Sequence, residues 1–170
     1  VSEDSGLEHP NGWAAYENVE QFLDVDGWFP QQLDGMTAFV SGFNGEHGRF
    51  HVVTHVNITL EQLYVYALAG FVVPENRRAE VAEFITRANY GMRVGNFELD
   101  LGDGEVRFKV SIDFEGGELT TWMLRNSLYP AARTLDRYLP GLEAVALHDV
   151  DPHHAVDQVE RPGTEPPNVV

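Results

Sequence analysis

The 170-residue chain contains no cysteine. That excludes disulfides, a thiol nucleophile and any Cys-ligated zinc or iron–sulfur site. Cations are scarce: 11 Lys plus Arg, with Lys109 the single lysine, stand against 27 Asp plus Glu, for a formal charge of -16. A large phosphate-binding surface needs clustered cations, so direct binding of DNA or RNA is disfavoured. No apolar run approaches the roughly 18 to 20 residues needed to cross a bilayer, and the opening VSEDSGLEHPNG lacks the basic start and apolar core of a secretory signal. A cytoplasmic protein without membrane contact is expected. There is no G-x-S-x-G elbow, Walker A loop or G-x-G-x-x-G, and no solenoid repeat. Gly102-Asp103-Gly104 lies between strands instead of opening a helix, so it forms no phosphate cradle.

What is present is enough apolar material, 43% of residues, for one core. Residues 1–11 are acidic, polar and rich in breakers, and read as a flexible tail. From Trp13 to Asp24 the residues Trp13, Tyr16, Val19, Phe22 and Leu23 recur at helical spacing, opposite an acidic stripe of Glu17, Glu20 and Asp24. Three runs of strand character follow: Met36 to Ser41, Arg49 to Thr59 and Gln62 to Leu68. In the second, Phe50, Val52, Thr54, Val56 and Ile58 share one face and His51, Val53, His55 and Asn57 the other. Asn44-Gly45 with Gly48 supplies the connecting hairpin.

Pro74 opens a second helix, marked by Val81, Phe84, Ile85 and Ala88 up to Gly91. Phe97, Leu99 and Leu101, then Val106 to Phe114, alternate as two strands about the Gly102–Gly104 turn. Their outward charges pair Glu98 or Asp100 with Arg107 or Lys109, at most about 1 kcal/mol each. Glu118 to Leu147 reads as helix, kinked or broken at Pro130 and Pro140 because an interior proline costs about 3 kcal/mol. Residues 148–170, with four prolines and no period, read as a second flexible tail. One domain over 12–147 is expected, of α+β class: helix, three strands, helix, two strands, helix, with an antiparallel sheet carrying the helices.

PENRRAEVAEFITRANY, GNFELDLGDGEVRFKVSIDFEGGELT and LYPAARTLDRYLPGLEAV together resemble the YbjN family, over roughly Trp13 to Val145. Its members carry an Arg- and Glu-rich helix ending in an Asn-centred turn, a G-x-F-x-x-D…G-x-V-x-(F/Y) hairpin and a closing helix with a Tyr-Leu pair. The resemblance implies a fold similar to type III secretion chaperones, a homodimer, and a stress-linked or regulatory role by protein binding, without catalytic residues or cofactor. Secretion itself does not follow from the fold.

The residues that could carry chemistry are few. His51 and His55 share a strand face about 13 Å apart, too far for one zinc ion. His148, Asp149, Asp151, His153 and His154 are potential ligands on a tail without a shell to hold them, so adventitious metal binding is the expectation. Asp24-Val25-Asp26-Gly27 and Asp100–Glu105 lack the ligand spacing of calcium loops. The aromatic residues point instead to protein contact: Trp13, Tyr16, Trp28 and Phe29 on and beside the first helix, and Tyr64 and Tyr66 on one side of the third strand. The leading expectation is a non-catalytic, chaperone-like homodimer holding a client segment. A second is an acidic partner or antagonist of a basic nucleic-acid-handling protein, for example in DNA repair. A metal-dependent enzyme is the weakest.

Overall fold

A computed structural model describes residues 9–161. The first helix, α1, spans Pro10–Val25, with proline at its first turn and Ala15, Val19, Phe22 and Leu23 buried. It begins two to three residues earlier than the apolar period predicts. Asn11-Gly12, expected to break the chain, lies inside the helix. Gly12 is buried there because the helix crosses the backbone of Ile58, whose carbonyl oxygen would lie 2.2 Å from an added Cβ. Residues 1–8 of the expected N-terminal tail fall outside the described residues.

The strands are β1 (Gln31–Gln32), β2 (Ala38–Asn44), β3 (Arg49–Asn57), β4 (Gln62–Val72), β5 (Asn96–Leu99) and β6 (Glu105–Asp113). They form one antiparallel sheet in the order β1-β2-β3-β4-β6-β5. The three-strand and two-strand units of the sequence are therefore joined through β4 and β6, and β1 is added as a short edge. Phe50, Val52, Thr54 and Val56 of β3, Leu63, Val65 and Ala67 of β4, and Val106, Phe108 and Val110 of β6 are all buried. Apart from Ala38, residues on the opposite face of the sheet are half-exposed or exposed.

A 3-10 turn (Glu75–Arg77) leads into α2 (Arg78–Asn89), which buries Val81, Phe84, Ile85 and Ala88 as its spacing requires. The amide of Asn89 then accepts from Phe97 N at 2.7 Å and donates to Phe97 O at 3.1 Å, fastening the end of α2 to β5. Helix α3 (Thr121–Leu147) is capped by Thr120, whose hydroxyl accepts from Met123 N. It runs unbroken through Pro130 and Pro140, against the expected interruption. Each proline removes one intrahelical bond, to Asn126 O and Asp136 O. Asn126 and Pro140 are exposed, so water can meet the loss, while Leu128, Ala131, Ala132, Leu135, Leu139 and Leu142 anchor the buried side.

The expected C-terminal tail is corrected over residues 152–160, while its residues 162–170 fall outside the described residues. Residues Pro152–Glu160 form α4, with Pro152 at its first turn and Asp151 accepting from His154 N as its cap. Ala155, Val156 and Val159 are buried in the common core, against α2 and α3. Burial of this apolar face stabilises a helix too short to stand alone.

Candidate functional site

The sheet face opposite the helices, where Ala38 alone of the strand residues is buried, is the most distinctive surface. Strand register places His55 opposite Tyr64, Val53 opposite Tyr66 and Leu68 opposite Arg107. These side chains form a ladder: His55 and Tyr64 stack at 5.8 Å, Tyr64 and Tyr66 lie 6.2 Å apart and 5° from parallel, and the Arg107 guanidinium sits 4.4 Å over Tyr66. The Tyr64 hydroxyl donates to Gln62 Oε1, and Gln62 Nε2 donates to Asp113 Oδ2 at 3.1 Å. Arg107 Nε donates to Glu98 Oε2 at 2.8 Å, and Lys109 pairs with the other oxygen of Glu98. The expected charge pairing across the hairpin therefore forms at Glu98, while Asp100 turns to the backbone of Gly102.

Burial pushes His55 below the ordinary histidine range, so the ladder carries a neutral imidazole near neutrality. Burial also raises the Glu98 carboxyl, but Lys109 and Arg107 outweigh it and the net shift is downward. The charged strand residues of this face are Arg49, Arg107 and Lys109 against Glu98, Glu105 and Asp113. They cancel, in a chain whose total is -16. Beside the ladder, Gly42, His51, Leu68, Phe71 and Glu105 help line an open groove of about 790 Å³, where a bulge between Leu68 and Val72 bends β4.

The other aromatic residues fare differently. Trp28 is 5% exposed, donates from Nε1 to Asp26 Oδ2 at 3.0 Å, and packs on Phe43 and Tyr129. It is a core residue, unavailable to a partner. Tyr16 stacks on Phe39 at 5.0 Å on the helix side of the sheet, and Trp13 meets Tyr16 edge-on. Both are half-buried. Phe29 is 86% exposed in the left-handed region at φ 50° and takes no part in the ladder. On the helix side, Val25 and, on α3, Trp122 at 72% exposure border a groove with Phe22 and Asp26, which Phe29 does not line. The six expected contact residues thus do not form one site: Tyr64 and Tyr66 belong together, and sequence reasoning missed their partner Arg107.

His51 and His55 lie on one face, as expected. His153 faces Asp157 at 3.5 Å and His154 meets Gln158 at 2.7 Å, both on α4. Among the described residues no three His, Asp or Glu side chains cluster to hold a metal. None of the described helices is long and apolar enough to cross a membrane.

A family model, YbjN, described as "Putative bacterial sensory transduction regulator", matches residues 15–144. The chain belongs to the YbjN family. Its fold matches a solved structure described as "Crystal structure of YbjN, a putative transcription regulator from E. coli". The TM-score is 0.55 at 16% identity, covering 78% of this chain and 92% of that one. At that identity the likeness concerns the fold. The chain matches no curated protein. The matched segment includes the whole ladder and ends within α3, and α4 lies beyond it.

Proposed function

We propose that this YbjN protein is a non-catalytic cytoplasmic regulator acting by protein–protein contact. Its open sheet face pairs with a second copy, and the pair holds a segment of a client protein. The observation that carries the reading is the His55–Tyr64–Tyr66–Arg107 ladder on the sheet face opposite the helices, where Ala38 alone of the strand residues is buried. Rigid aromatic side chains in register are efficient contact residues, because little side-chain entropy is lost when they are buried. The charge cancellation matters equally. Two copies of a chain at -16 repel, and a neutral face is where that repulsion is least. A regulatory role agrees with the family description, and the one-sided sheet agrees with the chaperone-like binding implied by the family's fold.

The test is sedimentation velocity on the full chain and on the double variant Tyr64→Ala/Tyr66→Ala. A dimer is expected for the wild type and should persist at high salt, since a contact centred on aromatic rings and without net charge is little screened. Losing two central aromatics should weaken it at least about 100-fold. A wild-type monomer at all concentrations, or an undiminished dimer in the variant, would refute the reading.

A second reading, an acidic partner of a basic protein, is favoured by the exposed stripe of Glu17, Glu20 and Asp24 on α1 beside the exposed Val25 and Trp122. Capture there would fall steeply with salt, whereas the sheet-face dimer would not.

A further inference from the structure

On the helix side, at the β5 edge of the sheet, a polar cleft opens between the Tyr90–Val94 loop and the C-terminal half of α3. We propose that it binds a small oxyanion, phosphate- or carboxylate-bearing. Its volume of about 570 Å³ is within the size range of small-molecule sites, and Tyr90, Arg93, Thr134, Arg137, Tyr138 and Glu160 line it.

The cations decide the ligand class. In this cation-poor chain Arg77, Arg87, Arg107, Lys109 and Arg125 each sit on a carboxylate. Arg93 forms no ion pair among the described residues. Arg133, exposed on α3, lies 5.2 Å over the Tyr129 ring and outside the cleft lining. Arg137 gives Nη2 to Val159 O at 3.2 Å but buries Nε without a partner. A buried N–H left unmade is costly, and its natural complement is an oxyanion that a guanidinium can grip with two nitrogens.

Glu160 also lines the cleft, and its Oε1 accepts from the Tyr138 hydroxyl at 2.6 Å. It neutralises one guanidinium. Arg93 and Arg137 against Glu160 leave the lining with one net positive charge in a chain of -16, so the cleft favours an anion. Tyr90, 92% exposed at the rim and followed by Gly91 at φ +89°, offers a ring face to a ligand that carries one.

The test uses the 15N-labelled full chain, titrated at low salt with inorganic phosphate, citrate and AMP while the arginine Nε–Hε signals are followed. The expected result is saturable movement of the Arg93 and Arg137 signals by at least one of the three, with Arg87 and Arg125 unmoved. Arg93→Ala, a change at an exposed residue that removes no ion pair among the described residues, should weaken binding about tenfold at an unchanged urea midpoint. Tighter binding of AMP than of phosphate, lost in Tyr90→Ala, would identify a ring-bearing phosphate; equal binding would identify the bare oxyanion. Uniform movement of all arginines, no saturation with any probe, or undiminished binding by Arg93→Ala would overturn the proposal. Tyr64→Ala/Tyr66→Ala should leave this binding intact, which keeps it separate from the sheet-face reading.

Discussion

Gly141, in the interior of α3, offers a substitution whose sign reports on α4. In an isolated helix Gly→Ala stabilises by about 0.8–1.0 kcal/mol. Here an added Cβ would lie 2.8 Å from Val159 Cγ2 of α4 and 2.9 Å from both Cε2 and Cζ of the fully buried Phe84 of α2. Relieving three such contacts means moving an aromatic ring and a helix, an overpacking cost of about 1–3 kcal/mol. The balance is a net loss of about 1 kcal/mol, or a fall of about 2–4 °C in Tm for a chain of this size. Urea unfolding and thermal melts of Gly141→Ala against wild type measure it. Val159→Ala should then cost about 0.5–1 kcal/mol less in the Gly141→Ala background than alone, because it vacates the clash. A stabilised Gly141→Ala, with no coupling to Val159, would refute the packing of α4 against α2 and α3.

The phenols of Tyr138, Tyr129 and Tyr16 are all held above the ordinary value of 10.0: burial leads in each, aided by Glu160 at Tyr138, Asp26 at Tyr129 and Glu20 at Tyr16. The unfolded chain therefore loses these protons first, so their contribution is complete below about pH 10 and declines above it; Tyr138→Phe should flatten that alkaline decline in a pH series of urea midpoints, at a cost of about 1–2 kcal/mol at neutral pH for the lost bond to Glu160. Asp136 of α3 accepts from both Glu46 N and His47 N at 2.9 Å, clasping the β2–β3 turn. Asp136→Ala should cost about 1 kcal/mol by urea unfolding, and Gly45→Ala should also destabilise because its Cβ would strike the same carboxylate.

What was legible in the sequence was local. The alternation of β3, the helical spacing of α2 and the Gly102–Gly104 hairpin each need only neighbours along the chain, and each lies where its pattern places it. Tyr64 and Tyr66 share a face because the strand period is two. Their ladder partners depend on register: His55 is set by the turn between β3 and β4, and Arg107 by pairing of β4 with a strand some 40 residues on, which no local pattern encodes. Trp28 shows the same limit from the other side, since an aromatic next to a helix end is core or surface according to what tertiary packing lays over it. The end of the chain did hold a signal. Asp151-Pro152 is a helix start, and Ala155, Val156 and Val159 make a short apolar stripe, but the surrounding prolines outweighed it. The proposed oxyanion cleft was beyond reach, because it assembles residues 90–94, 130–138 and 160 from three separate elements.

The two proposed sites occupy opposite layers, and that arrangement constrains how they work together. Pairing through the sheet buries the neutral face and turns both helix layers outward. The acidic stripe of α1 and the cationic cleft then stay accessible on each subunit, and neither competes with the dimer contact. Salt separates the three contacts physically: the sheet face tolerates it, the cleft loses small anions to screening and competition, and the α1 stripe loses any basic partner. The element best placed to connect them is α3, which packs on β4 and β6 beneath the ladder and carries Thr134, Arg137 and Tyr138 into the cleft. Ligand in the cleft can alter the dimer only through a differential preference for two arrangements of that helix. If sedimentation of the wild type is unchanged at saturating phosphate, citrate or AMP, the cleft and the sheet face are independent sites on one scaffold.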